Sequence, residues 1–246
     1  MKRRIVRWAI LVLFFGLCLA GAFWLTWNGF FLPNGSAASK YEVHGVDVSS
    51  YQGEIDWELL ASQNIQFAFL KATEGSGHVD SYFQQNLEGA LQTGLRVGAY
   101  HFFSYDSPGI TQAENFIATV PIIEGMLPPV VDVEFYGDKE QNPPERAEVE
   151  AELTAMLTAL EEHYGTPPIL YATEKSYQLY LESAFPKNDI WIRNVIGRPS
   201  LSDDRDWLFW QYTNRGRLEG YAGEEDFIDI NVFAGSAEEF AVYPSK

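Results

Sequence analysis

Cysteine is nearly absent from this 246-residue chain: Cys18 stands alone, inside an apolar run. That excludes a disulfide framework and a cysteine-built metal site. Histidine is scarce as well. His44, His78, His101 and His163 show neither an HxxxH nor an HExxH spacing, so a zinc hydrolase or a metal-dependent polysaccharide deacetylase has no ligand set here. There is no Gly-x-Ser-x-Gly elbow for a serine hydrolase, no glycine-rich dinucleotide turn, no internal repeat and no low-complexity stretch. No metal or organic cofactor is expected. Positive charge is short beyond the first forty residues. Residues 1–40 hold Lys2, Arg3, Arg4, Arg7 and Lys40 and no acid, which leaves 12 of the 17 basic residues against all 34 acids, a net of −22 for residues 41–246. Nucleic-acid phosphates would repel such a body, so no nucleic-acid partner is expected. The acidity suits a soluble, solvated surface. Nothing in the sequence asks for a second copy, and a monomer is expected.

What the chain does have begins at its N-terminus. Trp8 to Leu25 are eighteen consecutive apolar or small residues, and no charge falls between Arg7 and Lys40. A helix needs roughly 20 apolar residues to cross a bilayer core, and a signal-peptide core is shorter. The basic cluster lies on the N-terminal flank only. This predicts a cytoplasmic tail over 1–7, a membrane-crossing anchor over 8–32 and a body outside the cell membrane. Trp24 and Trp27 suit the far interface. A cleaved signal is the alternative, since Ala20-Gly21-Ala22 and Ser36-Ala37-Ala38 have the small-x-small form, and it would release the body. Phe15-Gly16-Leu17 before Cys18 lacks the small residues of a lipoprotein signal. Residues 33–40, rich in Pro, Gly and Ser, read as a linker that tethers a single domain over 41–246.

Within that domain apolar strands alternate with amphipathic helices. Strand patterns cover 43–48, 66–72, 96–103, 129–135, 168–172, 190–193, 207–212 and 227–232. Asp56 can cap a helix over 57–63, and a second helix over 80–93 stops at Gly94. Ser107-Pro108 opens a third. The longest follows Asn142-Pro143-Pro144, carries Val149, Leu153, Met156, Leu157 and Leu160 at spacings of three and four, and ends near Gly165. A fifth is expected over 174–183. Five βα units and three further strands make eight, a barrel count in an α/β chain. A doubly wound sheet is the structural alternative, without a motif to support it.

Functional side chains of such barrels gather at the C-terminal strand ends. Those ends carry Asp47, Lys71 with Glu74, Tyr100-His101, Asp132 with Glu134, Tyr171, Gln211-Tyr212 and Asp229. Acids and aromatics converging on one mouth suit acetal cleavage with sugar rings held on aromatic faces. Asp132-Val133-Glu134 is the strongest signal. Residues i and i+2 of a strand share a face, with Cα atoms roughly 6.5–7 Å apart. Two carboxylates crowded into a partly dry pocket raise the proton affinity of one, as a general acid requires. His101, beside Phe102-Phe103, reads instead as a bonded barrel histidine. A glycan-binding barrel without catalysis is the competing class, but binding alone has no need of four or more acids.

These motifs resemble glycoside hydrolase family 25, the Chalaropsis-type lysozymes. The likeness rests on Asp47-Val48-Ser49-Ser50-Tyr51-Gln52-Gly53 with Ile55-Asp56-Trp57, on Phe69 to Gly75, on Gly98-Ala99-Tyr100-His101-Phe102, on Asp132-Val133-Glu134, on Trp210-Gln211-Tyr212 and on Asp229-Ile230-Asn231. The motifs stand in the family's order across residues 41–243. The resemblance implies a TIM-like (β/α)5β3 barrel that hydrolyses the β-1,4 bond between N-acetylmuramic acid and N-acetylglucosamine, with peptidoglycan strands as the partner. It makes Glu134 the proton donor, Asp132 its partner, and Asp47 and Asp229 the remaining acids. Tyr100, Tyr171 and Gln211 fall where the family shapes the cleaved sugar's subsite, and Lys71 and Tyr212 complete the expected substrate-binding set. Asp132 would either activate water or steer the substrate's own N-acetyl oxygen. One segment departs from the family form. Trp191-Ile192-Arg193-Asn194 stands where a small residue and a later aromatic are usual.

Overall fold

The computed structural model describes residues 2–244, without the side chains of Lys2, Arg3, Ile5, Val6 and Ala9; Met1, Ser245 and Lys246, at the ends of the expected tail and domain, lie outside the described residues. Helix α1 (Lys2–Trp27) is followed by a single helical turn, α2 (Gly35–Ala38). The stretch Ile10–Trp27 is long and apolar enough to cross a membrane, and none of it is buried against the rest of the protein.

Eight strands close into a barrel. They are β1 (His44–Val48), β2 (Phe67–Glu74), β4 (Arg96–Phe102), β5 (Val130–Val133), β6 (Ile169–Thr173), β7 (Ile190–Arg193), β8 (Phe209–Gly216) and β9 (Ile228–Phe233). A two-residue strand, β3 (His78–Val79), folds back on β2 alone. Neighbours from β1 round to β8 run parallel, and β1 pairs with β2. Strand β9 is antiparallel to both β8 and β1 and closes the ring. The connection from β8 to β9, residues 217–227, carries no crossover helix, and β9 accordingly returns antiparallel to β8.

The helices between strands are α3 (Trp57–Ala61), α4 (Phe83–Leu91), α5 (Gly109–Thr119) and α6 (Arg146–Tyr164). Asp56 caps α3 by accepting from Leu59 N at 3.0 Å, and α6 ends on Gly165 in the left-handed conformation. The apolar face expected for α6 is buried: Val149, Leu153, Met156, Leu157 and Leu160 all pack on the sheet. The fifth helix differs from expectation. Only Glu174–Ser176 (α7) is α-helical, and Tyr177–Leu181 widens into a π-helical turn that buries Tyr177, Tyr180 and Leu181 together. The second also starts later, because Asp80 turns back to accept from Tyr82 N at 2.9 Å and Ser50 N at 3.0 Å. A last helix, α8 (Ala237–Val242), was not expected.

Two apolar layers hold the barrel. Outside the sheet, Val46, Leu70, Val131, Val133, Ile192 and Trp210 meet the helices. Inside, Phe67, Phe69, Val130, Ile169, Trp191, Phe209 and Phe233 fill the lower half, and Phe240 of α8 packs with them. Burying each such ring is worth about 1.5–3 kcal/mol. Room for them comes from glycine: a Cβ at Gly98 would sit 2.5 Å from the Phe69 ring, and one at Gly45 2.4 Å from Phe67. The apolar floor fills the barrel's bottom, and polar side chains occupy the top.

Candidate active site

Strand alternation builds the site as vertical columns. On β5 the inward residues are Val130, Asp132 and, one step past the strand, Glu134, while Val131 and Val133 face the helices. The other strands repeat the plan from floor to mouth: Phe67, Phe69 and Lys71; Gly98 and Tyr100; Ile169 and Tyr171; Trp191 and Arg193; Phe209 and Gln211. Strand β9 runs the other way, so its column reads Phe233, Asn231, Asp229 in reverse chain order. The top of these columns opens as a cleft of about 390 Å³ lined by Asp47, Lys71, Tyr100, Phe102, Asp132, Glu134, Tyr171, Trp191, Arg193, Gln211 and Asp229, with Asn214 and Glu225 on its rim.

Beneath the four acids lies a hydrogen-bonded tier. Trp191 Nε1 donates to Asn231 Oδ1 at 2.8 Å, and Asn231 Nδ2 donates to Asp47 Oδ2 at 2.7 Å. Tyr171 OH donates to Gln211 Oε1 at 2.8 Å, and Gln211 Nε2 donates to both Asp47 oxygens at 3.0 and 3.2 Å. The bonds fix both amides: each gives its N–H to Asp47 because its oxygen is taken. Asp132 contrasts with this. It is 6% exposed, and its Oδ1 is buried without a hydrogen-bond partner.

Burial raises the proton affinity of every acid in the ring. It is the largest cause at Asp47, Asp132, Glu134 and Asp229 alike. Asp132 is pushed well above the usual carboxylate range, with the Glu134 charge adding to burial. Asp229 is pushed similarly far, with Asp47 as the second cause. The amide donors of Asn231 and Gln211 partly offset the effect at Asp47. Arg193 lies among the four and favours the ionised form of each. Lys71 is occupied by Glu74 at 2.7 Å, with its Nζ 5.1 Å from the centre of the Phe102 ring. Among the described residues no group of three or more His, Cys, Asp or Glu side chains is arranged to hold a metal ion.

Eight of the nine residues expected to form the site meet in this cleft: Asp47, Lys71, Tyr100, Asp132, Glu134, Tyr171, Gln211 and Asp229. Tyr212 does not. It follows inward-facing Gln211 on the same strand, so its ring turns out to the helix side, buried against Trp210 and His44. His101 is buried and bonded on both ring nitrogens, to Thr73 Oγ1 at 2.7 Å and Gln112 Oε1 at 3.0 Å, and burial holds it near pKa 4. The sequence reading passed over Trp191, Arg193 and Asn231 as site members. Period-two counting finds the last two, because Asn231 lies two residues from Asp229 and Arg193 two from Trp191.

A closed eight-stranded barrel with its acids ringed at the strand ends suits a glycoside hydrolase. The chain belongs to glycosyl hydrolase family 25, whose family model matches residues 46–221. It resembles a family 25 glycosyl hydrolase structure from Bacillus anthracis at 59% identity and a TM-score of 0.80, over 83% of this chain and 94% of that one. It is 35% identical to the YegX protein of Escherichia coli (strain K12) over 210 residues, 83% of this chain and 74% of YegX. It is also 33% identical to an N,O-diacetylmuramidase of Chalaropsis sp over 205 residues, 77% of this chain and 95% of that protein.

Proposed function

We propose that the protein is a membrane-anchored muramidase whose barrel lies outside the cytoplasmic membrane and cuts the β-1,4 bond between N-acetylmuramic acid and N-acetylglucosamine in peptidoglycan. Membership of the lysozyme family and likeness to a diacetylmuramidase support the reaction class. The exposed apolar helix with its basic N-terminal flank supports the anchor.

The observation that carries the mechanism is the contrast between Glu134 and Asp132 on one strand face. Glu134, half-buried at the mouth and raised in proton affinity, is the general acid. It gives its proton to the glycosidic oxygen as the bond from the muramic C1 breaks toward an oxocarbenium-like state. Asp132 lies deeper, with an acceptor oxygen that none of the described residues satisfies. A buried acceptor of that kind costs about 1–3 kcal/mol until a donor arrives. The muramic 2-acetamido N–H is that donor. Held there, the acetamido oxygen closes on C1 as the leaving sugar departs with the proton from Glu134. Water then attacks C1 from the vacated face, gives a proton back to Glu134 and reopens the ring. Asp47, fixed by Gln211 and Asn231, stabilises the positive charge that develops.

Two readouts of one digest test this. The full chain in detergent, incubated with purified peptidoglycan, should release fragments that end in muramitol after borohydride reduction and mass spectrometry. Glucosaminitol ends, or no new ends, would reject the muramidase reading. NMR of the first-formed anomer should show retention; an inverted product would reject the acetamido route and leave Asp132 as a base on water.

A further inference from the structure

The segment between the apolar helix and the barrel is built into the barrel wall. Its sequence predicts a loose tether, yet Asn34 is 3% exposed and Ala38 1%. Asn34 Nδ2 donates to the carbonyls of Asn194 at 2.8 Å and Tyr212 at 3.1 Å. Upstream, the end of α1 is seated on β8 and the loop after it. Helix α1 has no basic residue in its own last turn, so the positive charge its C-terminus favours must come from elsewhere. Two arginines of the barrel supply it: Arg215 Nη1 donates to Trp27 O at 2.5 Å and Arg217 Nε to Asn28 O at 2.6 Å. The same guanidinium groups lie over aromatic rings, Arg215 4.1 Å from the Trp27 centroid and Arg217 4.4 Å from that of Phe30. Gly29, at φ +67°, turns the chain out of the helix. A Cβ there would meet the Arg215 carbonyl oxygen at 2.4 Å, so the two backbones are in direct contact.

This bracket stands against the wall of the cleft. Arg215 adjoins Asn214 on β8, and Asn214 and Glu225 line the cleft rim, while Phe227 beyond Glu225 packs under both arginines. The helix end and the cleft rim therefore share the β8–β9 ribbon. Trp24, Trp27, Phe30 and Phe31 remain more than half exposed around the same helix end, the placement of an aromatic belt at a bilayer interface. A flexible eight-residue tether would let the cleft stand off by up to roughly 26 Å. A body of net charge −22 gains no electrostatic attraction to lipid headgroups that would limit that freedom. The bracket removes the freedom.

Resting on the anchored-muramidase reading above, we infer that residues 27–38, with Arg215, Arg217 and Phe227, clamp the barrel against the headgroup layer, so that the substrate is glycan held at that same membrane surface rather than strands in the distant wall. The belt of Trp24, Trp27, Phe30 and Phe31 seats in the lipid interface, and the clamp sets the height of the cleft above it.

The test uses the full chain in proteoliposomes of phosphatidylethanolamine and phosphatidylglycerol, as wild type and as the Arg215→Ala/Arg217→Ala double variant. Each is given glycan polymer anchored by its lipid in the same bilayer and, separately, soluble uncrosslinked glycan strands. The double variant should cleave anchored polymer at least tenfold more slowly and soluble strands within twofold of wild type. Equal losses on both substrates, or none on either, would overturn the clamp. Cleft height is read independently of catalysis by energy transfer from a dye on Glu224→Cys, in a Cys18→Ala background, to a headgroup acceptor. Wild type should give the higher transfer, and equal transfer in the double variant would overturn the proposal. A wild type that cleaves neither substrate would sink the muramidase reading, and the transfer measurement would still decide the clamp.

Discussion

Asp229 on β9 faces Asp47 on β1 directly across the antiparallel seam that closes the barrel, and each carboxyl group shifts the proton affinity of the other. The donors around them decide which holds the proton. Asn231 and Gln211 both give N–H groups to Asp47, whereas at Asp229 burial and the charge of Asp47 together favour the protonated form. These surroundings favour the charge on Asp47 and the proton on Asp229.

That division predicts unequal mutants. Asp229→Asn keeps a neutral group opposite Asp47 and should lower kcat less than tenfold. Asp47→Asn leaves the Gln211 and Asn231 amides facing a neutral group and removes the charge, and should cost on the order of 10²-fold, in the range of losing one electrostatic stabiliser. Reducing-end assays of both variants check this, and equal losses would reverse the proton assignment.

Arg193 is the cation common to all four acids, and it favours the ionised form of Glu134. Removing it should raise the proton affinity of Glu134. With Glu134 in the proposed role of general acid, the alkaline limb of kcat follows its protonated form, so in Arg193→Gln that limb should move to higher pH. A limb that stays in place, or moves down, would show that Arg193 does not govern the acid.

Asp132 should cost the fold stability at neutral pH. Its folded proton affinity is raised by burial and by Glu134, so the unfolded chain ionises first as pH rises. Stability is then lost between the unfolded value, about 3.9, and the higher folded value. Asp132→Asn should melt higher than wild type at pH 7, by roughly 2–4 °C for each kcal/mol recovered. The difference should shrink toward zero near pH 3.5. A variant that melts lower at pH 7 would mean that Asp132 has a partner in the resting fold.

Much of this site is legible in the sequence because it sits on strands. A two-residue period puts Asp132 and Glu134 on one face from spacing alone, and the same period identifies Asn231 and Arg193 once it is applied to every strand. It also marks Tyr212 as facing away, although motif adjacency to Gln211 drew it into the expected set. The longest helix was readable because Val149 to Leu160 repeats at three and four, and nothing competes with packing there. Residues 174–183 were not, since the π-helical turn arises from burying Tyr177, Tyr180 and Leu181 together, a tertiary demand without a local signature. The bracket was hidden for a similar reason: its contacts join Asn34 to Tyr212 and Trp27 to Arg215, nearly two hundred residues apart. Composition alone made that stretch look like a tether.

The central claim is that Glu134 delivers the proton to the leaving sugar. The direct measurement compares Glu134→Gln with wild type on two substrates, natural glycan strands and an aryl glycoside of the same sugars whose phenolate leaves without protonation. On natural strands the variant should lose roughly 10²–10⁴ in kcat, as expected for removing a general acid. On the aryl glycoside its kcat/KM for phenolate release, which reports bond cleavage and not the later attack of water, should stay within about tenfold of wild type, because that bond asks for no proton. Equal losses on both substrates, or full activity on natural strands, would contradict the assignment.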